Sequence, residues 1–284
     1  MIQTGINYIS SMSILGISGF IDTLKFPGIR CNPEELEQFL MELPQTAQAD
    51  LHGLINFRPA WNSPNIAQNA NNDLNQKLLT QTHATHFSTH IGQFEGDGDP
   101  FVNFRKNLED MRTLLPAIRL GGENVFSLVN PSGKANYMTL QSTHPDFINF
   151  MWEQLDFGVF DIAHAKIAAR DHKMQFSEYV RALNCHKVEI IHISGGMALA
   201  NFNSSNSNDV DLHFPCELQD FIELQQLLKL FPNVKFVISE LAYSKGENNQ
   251  RVPLTREDYE KEAQALNIAV KQNDTALYHF FEKI

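Results

Sequence analysis

Short apolar, β-branched runs alternate with longer amphipathic stretches along this chain, a pattern that predicts strand–helix units on a parallel sheet. The strand-like runs are Ile2 to Ile9, Ala49 to Asn56, Thr85 to His90, Leu120 to Phe126, Gly158 to Ile162, Val188 to Ile193 and Val234 to Glu240. Asn32-Pro33-Glu34 sets a capping residue before a first-turn proline and predicts a helix to Leu43. Asp99-Pro100 opens a second helix reaching Ile118, and His144-Pro145 opens another. Glu217 to Leu230 reads as a helix, and Thr255 caps a final long one. The Asn/Gln-rich stretch Asn62 to Asn75 leads through a helix to the strand ending at His90, and Asn201 to Asn208 reads as a polar surface loop. The fold expected is α/β, a TIM (β/α)8-type barrel. Its eighth strand is either hidden in the Ile14 to Leu24 region or absent. No linker, break in composition or internal repeat divides residues 1–284, so one domain is expected.

Composition narrows this picture. The 284 residues suffice to bury a large core, and 43% are hydrophobic, which excludes disorder. A net charge of -11 argues against a nucleic-acid binder, which needs clustered Lys and Arg. Cys31, Cys185 and Cys216 are few, odd in number and lack metal-site spacing, which suggests a reducing compartment. The apolar segment Ile9 to Ile21 is short, interrupted by Ser and Gly, and has no basic start, so neither a signal peptide nor a membrane span is expected. These features together predict a cytoplasmic protein.

The chemistry lies at the ends of the strand-like runs. His52, His90, Glu123, Asp161, His164, His192, Asp211, His213 and Glu240 follow one another there, most of them just before a polar or glycine-containing turn. In a closed barrel the strand ends converge on one face, so ligands distant in sequence can meet. His86, Ser88 and His90 share a strand face, but only His90 is at the C-terminal end. His86 is expected deeper in the barrel, and His83 before the strand. Glu123 and Glu240 are carboxylates inside apolar runs, which is costly unless each is paired or metal-bound. Asp161 and His164 serve one site only if the strand ends near Ile162 and turns into a helix. Asp211-Leu212-His213 puts two ligands on one face of an extended segment. Each residue alone also fits a plainer reading, as a hydrogen-bonded core histidine, a salt-bridged carboxylate or a polar loop residue. As a set they are nitrogen and oxygen ligands, suited to Fe, Zn or Mn. The clustered carboxylates need cations to offset their repulsion, and nine ligands exceed what one ion needs, so two or three divalent ions with bridging carboxylates are expected.

These residues resemble two groups of proteins. The chain looks like the xylose-isomerase-like TIM barrels, and the ligand order is similar to that of the endonuclease-IV family, with Asp161-Ile-Ala-His164-Ala matching its Asp-Thr-Cys-His-Ala motif. That resemblance implies one ion on His52, His90 and Glu123 and a second on Glu123, Asp161, His192 and Glu240. It implies a third on His164, Asp211 and His213. Glu123-Asn124-Val125, His192-Ile193-Ser194-Gly195 and Asp211-Leu212-His213 resemble motifs of the multinuclear non-haem iron oxidases that modify cysteines in ribosomal peptides, the methanobactin-maturing type. The match covers residues 50–243 as short islands. His164 stands where many of those oxidases have Asn, and Leu241-Ala242 where they have a tryptophan.

The oxidase resemblance implies oxidation of a cysteine-containing peptide or small thiol, with iron as the favoured ion and a separate peptide-recognition protein as partner. Asn124, Arg58 and Lys166 are the candidate substrate-binding residues. The acidic stretch Glu95-Gly-Asp97-Gly-Asp99 just after His90 would repel a DNA backbone, which ranks the zinc nuclease reading lower. A sugar isomerase or epimerase is the further alternative on this fold. Cys216, near the site in sequence, reads as a small buried thiol rather than a catalytic one.

Overall fold

Eight parallel strands close on themselves in chain order in a computed structural model of the protein. The structure describes residues 1–7, 23–26, 33–42, 48–53, 60–61, 66–82, 84–92, 100–126, 140–196, 212–247 and 250–283. The strands are β1 (Gln3–Asn7), β2 (Thr23–Phe26), β3 (Gln48–His52), β4 (His86–His90), β5 (Arg119–Glu123), β6 (Phe157–Asp161), β7 (Val188–Ile193) and β8 (Phe236–Ser239). Pairing of β8 with β1, from Gln3 opposite Phe236 to Ile6 opposite Ser239, shuts the barrel. The eighth strand is therefore present. It is β2, which begins at the end of the Ile14 to Leu24 region and pairs with β1 and β3.

Helices follow the strands: α1 (Pro33–Glu42), α2 (Ile66–Ala70), α3 (Asp73–Gln81), α4 (Pro100–Leu114), α5 (Pro145–Gln154), α6 (Ile162–Asp171), α7 (Phe176–Ala182), α8 (Leu218–Leu228), α9 (Arg256–Val270) and α10 (Asp274–Glu282). The expected helix starts hold. Pro33 and Pro100 open α1 and α4, and Pro145 opens α5 behind the His144 cap. Thr255 caps α9 by accepting the Asp258 N–H at 3.1 Å. Two boundaries differ from the sequence pattern. The helix from Pro100 stops at Leu114 rather than Ile118. The final helix is two, because Gln272 takes a positive φ of 53° and Asn273 caps a new start. A hairpin of β9 (Tyr243–Lys245) and β10 (Arg251–Pro253), absent from the pattern reading, follows β8. Among the described residues no helix is long and apolar enough to cross a membrane.

Strand alternation turns the barrel interior into layers. His86, Arg119, Phe157 and Phe236 lie at the start of their strands, and the His86 ring meets Phe157 and Phe236 at 5.2 and 5.1 Å. Above them Val159, Ile190 and Ile238 complete a small apolar cluster with Phe157 and Phe236. Gly121 is required here, since a Cβ would come 2.1 Å from the Phe157 ring. The layer above carries His90, Glu123, Asp161, His192 and, one residue past β8, Glu240. The larger core lies outside the strands, under the helices. Two fully buried tryptophans reach back from it to β5. The indole N–H of Trp61 donates to the Gly121 carbonyl at 2.8 Å, and that of Trp152 to the Gly122 carbonyl at 2.7 Å. Both fix the strand that ends in Glu123.

Candidate metal centre

Glu123 is the hub of the C-terminal face. Its side chain is 1% exposed, and one oxygen, Oε2, lies 2.7 Å from Nε2 of His52 and 3.6 Å from Nε2 of His90. The other oxygen, Oε1, lies 3.2 Å from Nδ1 of His192 and 3.4 Å from Nδ1 of His164. Burial alone would push this carboxyl up. The charges of His52 and His192 and their hydrogen bonds outweigh it and hold Glu123 well below the usual carboxylate range. Glu123 is thus an anion at neutral pH, as a ligand must be.

Each strand delivers its residue by a separate local device. His52 ends β3, and its Nδ1 is 2.9 Å from the Ser88 hydroxyl, which turns Nε2 toward Glu123. Asp161 ends β6 and caps α6, accepting the His164 backbone N–H at 2.7 Å. The strand therefore gives way to a helix one residue after Asp161, which meets the condition for Asp161 and His164 to face one site. Asn124 fastens the same corner. Its Oδ1 accepts the Asp161 N–H at 2.6 Å, its Nδ2 donates to the Asp161 carbonyl at 3.1 Å, and its own carbonyl lies 2.9 Å from Nδ1 of His164.

His192 is fully buried on β7, its Nδ1 3.2 Å from both Glu123 and Glu240. Glu240 is held by its N–H, which donates to the Ile193 carbonyl at 2.8 Å. His213 lies 3.6 Å from Glu240 in a left-handed conformation, φ 52°, which its carbonyl stabilises by accepting the N–H groups of Ala242 and Tyr243. The segment after His213 is zipped to β7, since Gly195 and Phe214 exchange both backbone hydrogen bonds. Only glycine fits at 195, where a Cβ would sit 2.1 Å from the Pro215 carbonyl oxygen.

Two groups of ligand atoms result, each with all its atoms within 4.8 Å of one another. One is His52, His90 and Glu123, and the other is Glu123, Asp161, His192 and Glu240. The donor chemistry fits divalent cations. Three carboxylates and several imidazoles converge in a buried space, and Glu123 belongs to both groups. His164 and His213 border these groups without joining them, and Asp211 lies outside the described residues. Arg58, the acidic stretch after His90 and the Asn201 to Asn208 loop also lie outside them. Asn124 is fully buried, with its amide turned to the Asp161 backbone. Lys166 is ion-paired with Glu223 and stands 5.9 Å from the Phe176 ring. Cys216 is buried, and burial pushes its thiol well above the usual range, so it is no ready nucleophile.

Sequence pattern alone missed two supports. Ser88 was visible as sharing a face with His90, but its contact with His52 was not. Glu262 sits in the acidic run Glu257 to Glu262 and resembles a surface residue. Only its helical register with Tyr259, Leu266 and Ala269, all buried, marks it as inward-facing.

No family model matches this chain, and no curated protein sequence matches it. Solved structures resemble it in fold. D-psicose 3-epimerase, solved in the presence of D-fructose, gives a TM-score of 0.54 at 10% identity, covering 97% of this chain and 99% of that one. A xylose isomerase domain protein from Alicyclobacillus acidocaldarius subsp. acidocaldarius gives 0.55 at 13% identity, covering 98% and 100%. A sugar phosphate isomerase/epimerase from Parabacteroides distasonis ATCC 8503 gives 0.53 at 10% identity, covering 93% of each chain. At such identities the likeness shows the TIM-barrel fold alone, and it carries neither the oxidase nor the nuclease resemblance.

Proposed function

We propose that this chain is a divalent-metal enzyme that moves a proton at a carbon beside a carbonyl, as an isomerase or epimerase of a small polyhydroxylated substrate. The convergence of Glu123, Asp161, His192 and Glu240 at the mouth of the barrel carries this reading. Such an oxygen-rich set suits Mn or Mg as well as Fe. A bound ion would supply Lewis acidity, polarising the carbonyl so that the neighbouring C–H becomes acidic.

The chain's own residues divide the remaining work. Glu123, held ionised, is a strong ligand and a weak base. Glu240 is the carboxylate placed to accept the proton, since it lies at the strand end between His192 and His213. Returned by Glu240 to the neighbouring carbon, the proton gives isomerisation; epimerisation needs a second acid that delivers a proton to the opposite face of the same carbon. Asp161 and Asn124 keep the β6–α6 corner rigid, which fixes the distance between ligand groups. The names borne by the fold neighbours, D-psicose 3-epimerase and sugar phosphate isomerase/epimerase, agree with this chemistry. The test is metal-loaded protein with a panel of ketoses and their phosphates in D₂O. Metal-dependent deuterium uptake beside the carbonyl is expected, and no uptake across the panel would sink the reading.

One observation favours a second reading. His52 and His90 add a nitrogen-rich group to Glu123, with His164 beside it, more imidazole than proton transfer needs. That surplus, with the oxidase-like Glu123-Asn124-Val125 and His192-Ile193-Ser194-Gly195, suits a two-iron oxidase of a cysteine-containing peptide or small thiol, served by a peptide-recognition protein. Elemental analysis and Mössbauer spectroscopy of anaerobically purified protein separate the two. Iron with O₂ consumption supports the oxidase. Tightly bound zinc with cleavage of abasic DNA would instead point to a nuclease.

A further inference from the structure

Glu262 is a buried carboxylate with no part in the ligand groups. It lies on α9, is 2% exposed, and reaches two separate segments of the C-terminal face. Its Oε1 accepts the Ser239 hydroxyl proton at 2.7 Å, and its Oε2 accepts the Cys216 backbone N–H at 2.9 Å. The Ser239 oxygen also accepts the Leu241 N–H at 3.3 Å. Glu240 stands between Ser239 and Leu241, so this arm grips the backbone on both sides of one ligand residue. The other arm ends on the segment His213 to Cys216, which carries the imidazole 3.6 Å from Glu240.

We propose that Glu262 is a positioning residue for the metal centre. One side chain sets the separation between the end of β8 and the His213 segment, and so aims Glu240 at the ion. Burying a carboxylate merely to fill space is unfavourable, and an apolar side chain would pack at least as well. Two hydrogen bonds, one to each segment, give the buried carboxyl a purpose that packing does not. Partners behind ligand residues commonly change metal affinity by 10- to 100-fold when removed.

The inference rests on the reading of the cluster as a metal site, and one experiment tests the two separately. Metal-free protein is titrated with Co²⁺ and followed by its visible absorption, with the melting temperature of the metal-free form recorded alongside. Wild-type protein is expected to bind saturably; failure to do so would remove the metal site and this inference with it. In wild-type protein that binds, Glu262→Gln keeps the shape but cannot accept both protons. It is expected to weaken Co²⁺ binding about 10-fold or more and to alter the absorption band. Ser239→Ala, which cuts one arm only, is expected to weaken binding by less, and it carries the decision if Glu262→Gln does not fold. A lowered melting temperature with wild-type affinity and an unchanged band in the folded variants would overturn the proposal, because a purely structural role predicts that pattern.

Discussion

Nε2 of His52, at the end of β3, lies 2.7 Å from Oε2 of Glu123, at the end of β5, although β4 separates the two strands. The barrel's curvature brings them across His90, whose Nε2 is 3.6 Å from the same oxygen. Glu123→Gln keeps the volume but removes the charge shared by both ligand groups. The metal content of reloaded protein is expected to fall by at least one ion per chain. His90→Ala should affect only the group formed with His52. Mass-spectrometric metal analysis checks both, and unchanged stoichiometry in the Glu123 variant would take it out of the centre.

Gly195→Ala tests the zip between β7 and the His213 segment. The new Cβ meets the Pro215 carbonyl oxygen, a backbone atom that cannot swing away. A loss of about 1–3 kcal/mol in urea unfolding is expected, together with weaker metal binding. Full metal affinity would mean that His213 is held by other contacts.

Trp152→Phe leaves the Gly122 carbonyl without its indole donor in the core. The expected loss is about 1–3 kcal/mol by denaturant titration, with the fold retained. A loss near zero would show that the Trp152 hydrogen bond contributes little to holding β5.

The base of the barrel has its own pH response. Glu189 is paired with Arg119 and Lys235. Burial raises its carboxyl, but hydrogen bonds and charge from Arg119 and Lys235 outweigh this and leave it below the usual value. A carboxyl depressed in the folded state contributes stability above its unfolded pKa, about 4.3. That contribution is lost as pH falls through the lower folded value. Wild-type protein is therefore expected to lose more stability than Glu189→Gln on descending below about pH 4. Parallel acid limbs in the two melting profiles would contradict it.

Chelation should lower the melting temperature, because an ion that binds only the folded chain stabilises it by mass action. At one hundred times the dissociation constant the gain is about 2.7 kcal/mol. Equal melting with chelator and with added Mn²⁺ would argue against a bound ion.

Most strands were legible because a strand buried on both faces must be apolar almost throughout, as in Val188 to Ile193. Thr23-Leu24-Lys25-Phe26 escaped because it is short and alternates polar with apolar, a pattern shared with many loops. The ligands at strand ends were legible because carboxylates and histidines interrupt apolar runs there. What supports them was not. The Ser88–His52 contact depends on the register of β3 against β4, which pairs the two residues, and Glu262 works from a helix beyond the last barrel strand. His86 and His90 share a strand face, yet one packs between Phe157 and Phe236 and the other reaches Glu123. Position along the strand, rather than residue type, separates their roles.

The chain holds only two tryptophans, and both donate to carbonyls of the glycines immediately before Glu123. Intrinsic emission excited at the red edge of the protein's absorption therefore originates beside one strand instead of averaging over the molecule. A shift of β5 as an ion settles on Glu123 would alter both indole environments together. Were an ion to bind there, the two indoles would report its occupancy without a label.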